Sequence, residues 1–345
     1  MENKDDQFNE EEKTELGQES PSAYQPPRPV VFEREMLLIQ QLKDECAKVI
    51  IGQEEVIEKM LVCILAEGHI LLEGVPGIAK TLSARTMAHA IAAEFNRIQF
   101  TPDLMPADIL GTTIFDMKKA TFNFKKGPIF SNVILIDEIN RAPAKTQAAL
   151  FEVMEEKQVS FDGVTYDLSY PFMVIATQNP IEQEGTYRLP EAQLDRFMMK
   201  IVLDYPNAKE EVDILHRFKN QMGKPDLSIV KPLLNAKNMK ELQSKIAKVT
   251  IEDNMLDYIT AIVQETRNNS RLYLGASPRA SLAILRASKV MALMSGRDFV
   301  IPDDIQYVVP DILNHRVILN PDAEMAGETT HQVLHDIIKE IEVPR

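Results

Sequence analysis

The chain has 345 residues, of which 45% are hydrophobic and 26% charged, and it carries a net charge of −14. That length allows two or three ordinary globular domains, and the acid excess argues against a surface that grips nucleic acid over its whole area. No apolar run approaches the roughly 18 residues that would span a bilayer, and the acidic start lacks the apolar core of a secretory signal. Cys46 and Cys63 form no CxxC pair or zinc pattern, which predicts buried free thiols and a cytoplasmic setting.

Residues 1–29 hold eight acids against three bases and close in SPSAYQPPRP. Such a segment buries too little apolar surface to offset chain entropy, so a disordered acidic tail is expected over 1–33, as a solvated tail or a docking peptide. Two amphipathic helices follow, MLLIQQLKDECAKVI and EEVIEKMLVCILAEG. Then strands alternate with helices: HILLEG, TLSARTMAHAIAAEF, NRIQFT, NVILIDEI, PAKTQAALFEVMEEK, PFMVIATQN and KIVLDY. Alternation of this kind predicts an α/β fold, a parallel sheet covered by helices, over 34–206. Residues 207–345 read as helices only and predict a second, all-α domain. In it, Met255, Leu256, Ile259, Ile262 and Val263 repeat with helical spacing.

Five motifs carry the chemistry. Gly74-Val75-Pro76-Gly77-Ile78-Ala79-Lys80-Thr81 leaves a strand and enters a helix. A phosphate can be wrapped by backbone N–H groups of such a loop, with the positive helix end behind them. Lys80 would reach the β- and γ-phosphates, and Thr81 would ligate Mg2+. Ala79 stands where the usual pattern has glycine, and it is expected to take an ordinary negative φ at the helix start. The alternative is a plain glycine-rich turn. The buried strand VILIDE ends in Asp137 and Glu138. Buried carboxylates are costly without a task. Asp137 would hold Mg2+ and Glu138 would polarise the attacking water, unless the pair is only an acidic helix cap. Asn179, in ATQNP, would lie beside them if the two strands are neighbours; Asn-Pro also marks a turn. Arg196, in LPEAQLDRF, reads on its own as a surface arginine paired with a carboxylate. Arg279, in GASPRA, adds charge to an already positive helix start, which implies an anion partner unless the side chain is simply exposed.

These motifs, in this order, resemble those of AAA+ ATPases, and the stretches GVPGIAKT, ILIDEINRAP, ATQNPIEQEGTYRLPEAQLDRF and GASPRA resemble the MoxR family in particular. The likeness spans about residues 35–320. Arg188 departs from it, standing where the family has proline. The resemblance implies ATP and Mg2+ as ligands, an ATP hydrolase activity, and a chaperone-like remodeller built on a P-loop parallel sheet followed by a smaller helical lid. Ile51 and Gly52, in VIIGQEEVI, would contact adenine. The loop residues from Gly74 through Leu82 would cradle the phosphates, with Asn179 sensing the γ-phosphate. Arg196 resembles an arginine finger that enters a neighbour's site, which implies a ring, a homo-hexamer. Arg279 resembles a second sensor that reports nucleotide state to the lid, with ATP held between the two domains. Partners bearing von Willebrand factor A domains are implied.

Two insertions are implied as well: a helix-2 insert over 105–130 and a hairpin before the first sensor over 157–170, turning at Asp162-Gly163. Phe115, Phe122 and Phe124 are expected to pack within the domain, with contact to a client as the alternative. No nucleic-acid partner is expected. Lys118, Lys119, Lys125 and Lys126 leave open a nucleic-acid-stimulated motor, and a nucleotide-gated scaffold without hydrolysis is the other alternative.

Overall fold

The computed structural model describes residues 31–180, 186–219 and 225–344. The acidic tail up to residue 30 and residues 181–185 of the long signature stretch lie outside the described residues. The tail boundary falls earlier than expected: Val31 and Phe32 already donate their amides to the Gly296 carbonyl, at 3.0 and 3.1 Å.

Helices α1 (Glu33–Ala47) and α2 (Glu54–Leu65) precede β1 (Ile70–Glu73), α3 (Lys80–Ala90) and β2 (Phe95–Gln99). An insertion follows, made of α4 (Pro106–Leu110) and the strand pair β3 (Gly111–Asp116) and β4 (Thr121–Lys126). Next come β5 (Val133–Asp137), α5 (Ala144–Glu156), the strands β6 (Gln158–Phe161) and β7 (Val164–Asp167), and β8 (Met173–Gln178). A short α6 (Glu191–Leu194) leads into β9 (Met199–Val202). The helical part holds α7 (Ala208–Phe218), α8 (Ala236–Ile246), α9 (Asp253–Asn268), α10 (Pro278–Met294), α11 (Pro302–Leu313), α12 (Pro321–Met325) and α13 (Thr330–Glu340). It is not purely helical, because β10 (Leu272–Leu274) pairs antiparallel with β11 (Ile318–Leu319).

The five long strands form one sheet in the order β2-β5-β8-β1-β9, and every pairing in it is parallel. Successive side chains on a strand face opposite ways, so a strand covered on both faces is apolar throughout. On β5, Val133 and Leu135 join the core shared with α1, α2, α3 and the helical part, while Ile134 and Ile136 join the core under α5. All four are fully buried, each worth about 1.5–3 kcal/mol over exposure. On α9, Met255, Ile259, Ile262 and Val263 are buried as the spacing predicts, whereas Leu256 lies off that face and is exposed.

The insertions do not share one fate. Phe124 stacks on Tyr166 (ring centroids 4.7 Å apart) and on Phe161 (5.0 Å), which ties the β3–β4 pair to the β6–β7 pair. Phe115 and Phe122 touch each other at 5.0 Å but stay exposed, so only one of the three phenylalanines packs into the domain. The strand pairing is antiparallel and two residues face out at the tip, which leaves those rings without a wall to cover them.

Candidate functional site

The loop after β1 and the carboxylates after β5 meet at the strand-end edge of the sheet. Lys80 opens α3 and donates from Nζ to the Gly74 carbonyl at 2.6 Å. Gly77 has φ +90°, and a Cβ there would meet open space within 4 Å, so its glycine is required by the backbone rather than by crowding. Ala79 departs from expectation. It has φ +60° and ψ 18°, the left-handed region, where a Cβ crowds the following carbonyl. The loop needs two reversals before α3, at residues 77 and 79, and the second falls on alanine.

Ile51 and Gly52 are brought to this loop by Gln53. Its amide donates to the Ile78 carbonyl at 2.7 Å and accepts from the Ser83 hydroxyl at 2.8 Å. Gly52 has φ +70°, and a Cβ there would sit 2.6 Å from the Glu210 side chain. The start of α7 therefore closes against the same segment.

Asp137 is 8% exposed and ends β5. Its Oδ2 accepts from Arg97 Nε at 2.5 Å, and its Oδ1 accepts from the Thr177 hydroxyl at 3.2 Å. Thr177 also accepts the Glu138 amide at 3.0 Å. Glu138 itself is left-handed, with φ 56°, and its carboxylate pairs with Arg141 Nε at 2.7 Å. β8 is the direct neighbour of β5, with Ile136 opposite Ala176, so Asn179 emerges beside these carboxylates as expected from adjacent strands. Asn179 is 9% exposed. Thr81 and Leu82 follow Lys80 into the first turn of α3.

These residues suit a nucleotide with Mg2+. The loop offers open backbone at Gly77 and a lysine, and Thr81 and Asp137 offer one hydroxyl and one carboxylate. Among the described residues no cluster of three or more His, Cys, Asp or Glu could hold a metal by itself. Mg2+ fits that sparse donor set, because it is commonly held by one or two carboxylates together with substrate phosphates and water.

Arg196 and Arg279 lie elsewhere. Arg196 comes just before β9, and the amide of Met198 donates to the His69 carbonyl at 2.8 Å, at the start of β1. Lys80 follows the end of β1. β1 is parallel to β9, so the two groups sit at opposite edges of the sheet, separated by about 13 Å of strand. Helix α5 runs back between these edges. From its C-terminal half the Phe151 carbonyl accepts Arg196 Nη1 at 2.9 Å, and Glu155, in the last turn, pairs with the same guanidinium. The other oxygen of Glu155 accepts from Arg279 Nη2 at 2.9 Å. The anion partner expected for Arg279 is thus Glu155 of the same chain. A site within one subunit that includes both Lys80 and Arg279 is not what the fold builds.

Behind the arginines the helical part is fastened to the sheet. Arg316 is 8% exposed. Its Nε donates to Asp195 Oδ1 at 2.6 Å, and its other nitrogens donate to the carbonyls of Phe197 (2.6 Å) and Met198 (3.0 Å). The Ser277 hydroxyl, at the start of α10, donates to Asp195 Oδ2 at 3.1 Å. His69 and His315 are buried nearby. Burial pushes the His69 imidazole down to about 4, and burial with the adjacent Arg316 charge pushes His315 well below the ordinary range. Burial also pushes the Cys46 thiol up to about 12, which keeps it protonated and unreactive.

Sequence reasoning missed Gln53, Arg97, Thr177, Glu155 and Arg316. For Glu155 a signal existed: it stands in the last turn of α5, where the helix dipole disfavours a carboxylate. The others act through tertiary contacts that no local pattern encodes.

Residues 69–199 match the profile of the ATPase family associated with various cellular activities (AAA), and residues 264–337 match that of the AAA lid domain. The chain is 44% identical to the YeaC protein of Bacillus subtilis, over 86% of this chain and 92% of that one. It is also 44% identical to Chaperone MoxR1 of Mycobacterium tuberculosis, over 87% of this chain and 81% of that one. A crystal structure of a protein from Cytophaga hutchinsonii assigned as an ATPase superposes with a TM-score of 0.84 at 45% identity, over 91% of this chain and 97% of that chain. With its parallel five-stranded sheet, its lid and relatives at this identity, the chain belongs to the MoxR family of AAA+ ATPases.

Proposed function

We propose that this chain hydrolyses ATP in a ring of identical subunits, a hexamer by family resemblance, and uses the cycle to remodel client proteins. One observation carries the reading. Arg196 and Arg279 stand at the opposite edge of the sheet from Lys80, Asp137 and Glu138. A guanidinium stabilises the charge of a transferring phosphoryl group only from within contact distance. These two can reach a phosphate only on a neighbouring subunit.

Within the subunit, Lys80 gives up the Gly74 carbonyl to bind the β- and γ-phosphates, and backbone N–H groups of 74–81 surround them. Ile51 and Gly52 lie against the adenine. Thr81 and Asp137 would hold Mg2+, which would supply positive charge against the developing charge of the phosphates. Glu138 leaves Arg141 to accept a proton from the attacking water, and Asn179 orients that water or the γ-phosphate. Residues 34–206 act as the nucleotide-binding domain and 207–345 as the lid. By family resemblance the clients carry von Willebrand factor A domains, and the working compartment is the cytoplasm. No described helix is long and apolar enough to cross a membrane.

Mixing subunits tests the reading. Arg196→Ala and Lys80→Ala chains are each expected to be inactive, and mixed rings are expected to regain part of the turnover. Absence of any recovery in rings verified to contain both chains removes the trans role. Glu138→Gln is expected to keep ATP binding and lose roughly 10²-fold or more in turnover; unchanged turnover removes the role given to Glu138.

A further inference from the structure

A cavity of 510 Å³ opens at the strand-start edge of the sheet, lined by cations and acids from α5, the segment before β9, and α10. Two of its acids are each matched to one cation. Glu67 pairs with Lys157 at 2.5 Å, and Asp195 pairs with Arg316 at 2.6 Å. Glu155 is different, because its two carboxylate oxygens divide between Arg196 and Arg279. It also sits at the negative end of α5, in a last turn with no basic residue, so the helix itself disfavours it there. The backbones on either side are already fixed. Asp195 is held by Arg316 and Ser277, which sets the residue before Arg196 and the start of α10 together. What remains to be set is the position of the two guanidinium heads, and like charges so close repel each other unless an anion lies between them.

We propose that Glu155 is a positioning residue for this arginine pair: its carboxylate stands in for the phosphate of a neighbouring subunit's nucleotide, holds Arg196 and Arg279 side by side, and yields them when that phosphate arrives. The proposal rests on the reading that both arginines serve a neighbouring nucleotide. Two opposing effects follow. The carboxylate competes with phosphate for the pair, which weakens capture of ATP. It also orders the pair in advance, which favours the transition state.

The test is steady-state ATP hydrolysis by full-length Glu155→Gln and Glu155→Asp chains, beside Arg196→Ala. In Glu155→Gln both KM for ATP and kcat are expected to fall roughly three- to tenfold, the range that loss of two half-exposed ion pairs allows. Glu155→Asp keeps the charge and is expected to return KM towards that of the natural chain. A purely structural role would lower the active fraction, hence kcat, and leave KM unchanged; that outcome overturns the proposal. Turnover lost in Arg196→Ala with both parameters unchanged in Glu155→Gln overturns the proposal alone. Undiminished turnover in Arg196→Ala overturns it together with the trans reading beneath it.

Discussion

Arg97 donates from Nε to Asp137 Oδ2 at 2.5 Å, reaching from β2 to the end of the neighbouring strand β5. The guanidinium is half exposed while the carboxylate is nearly buried. It therefore engages one of the oxygens that would face Mg2+. We expect Arg97→Met to lower the Mg2+ concentration for half-maximal ATP hydrolysis by up to about fivefold, the worth of one exposed ion pair. A titration at saturating ATP measures it. A higher Mg2+ requirement would mean that Arg97 orients Asp137 rather than competing for it.

Ala79→Gly should stabilise the chain. The left-handed conformation at φ +60° costs an L-residue about 1–2 kcal/mol, and glycine is free of that cost. Part of the gain returns to the unfolded chain as entropy, so a net increase of about 1 kcal/mol in urea unfolding is expected. ATP binding should stay near normal, since the phosphate-facing groups are backbone N–H groups and Lys80. A loss of stability would show that the alanine methyl packs favourably enough to outweigh its strain.

Acid should destabilise the protein earlier than its carboxylates alone require. His69 donates from Nε2 to the Met154 carbonyl at 3.1 Å and accepts at Nδ1 from the Val174 amide at 3.0 Å. Its pKa falls from 6.5 to about 4 on folding. Above 6.5 neither state holds the extra proton. Between 6.5 and about 4 the unfolded chain takes it and the folded chain does not, so stability drops as pH falls, by roughly 3 kcal/mol over that window. His315 adds a loss of the same sign. His69→Gln, which keeps a donor and an acceptor, is expected to flatten the pH dependence of Tm between pH 6.5 and 4. An unchanged slope would assign the acid lability elsewhere.

Phe124→Ala should release both hairpins without unfolding the sheet. The ring touches Phe161, Tyr166 and Phe130, whereas the strands it joins contribute little to the two main cores. Hydrogen exchange is expected to quicken over 111–126 and 158–167 while the five-stranded sheet keeps its protection. Uniform quickening across the chain would mean that the aromatic stack carries global stability.

The sheet and its helices were legible because period and punctuation agreed locally: apolar runs ending in glycine or carboxylates, then helical spacing. The same held for the loop at 74–81, for Asp137 with Glu138, and for Asn179, whose place follows once β5 and β8 are neighbours. Ala79 misled, because residue type alone suggested a negative φ, and the turn into α3 imposed the opposite. The division between Phe124 and its neighbours depended on a second hairpin close in sequence but joined only through space. For Arg279 the expectation left an anion partner and a simply exposed side chain open; the side chain is half exposed and pairs with Glu155, 124 residues away on α5, a distance that no local rule spans.

Arg316 closes a seam. Its guanidinium is sunk among main-chain carbonyls of the segment that feeds β9, and Asn314 from the same turn donates to the Lys200 carbonyl at 2.8 Å. Parting the helical region from the sheet would strand a buried cation with no acceptor, at a cost of several kcal/mol. The two regions are therefore expected to melt as one, in a single calorimetric peak, and any swing of the lid must carry the edge of the sheet along with it.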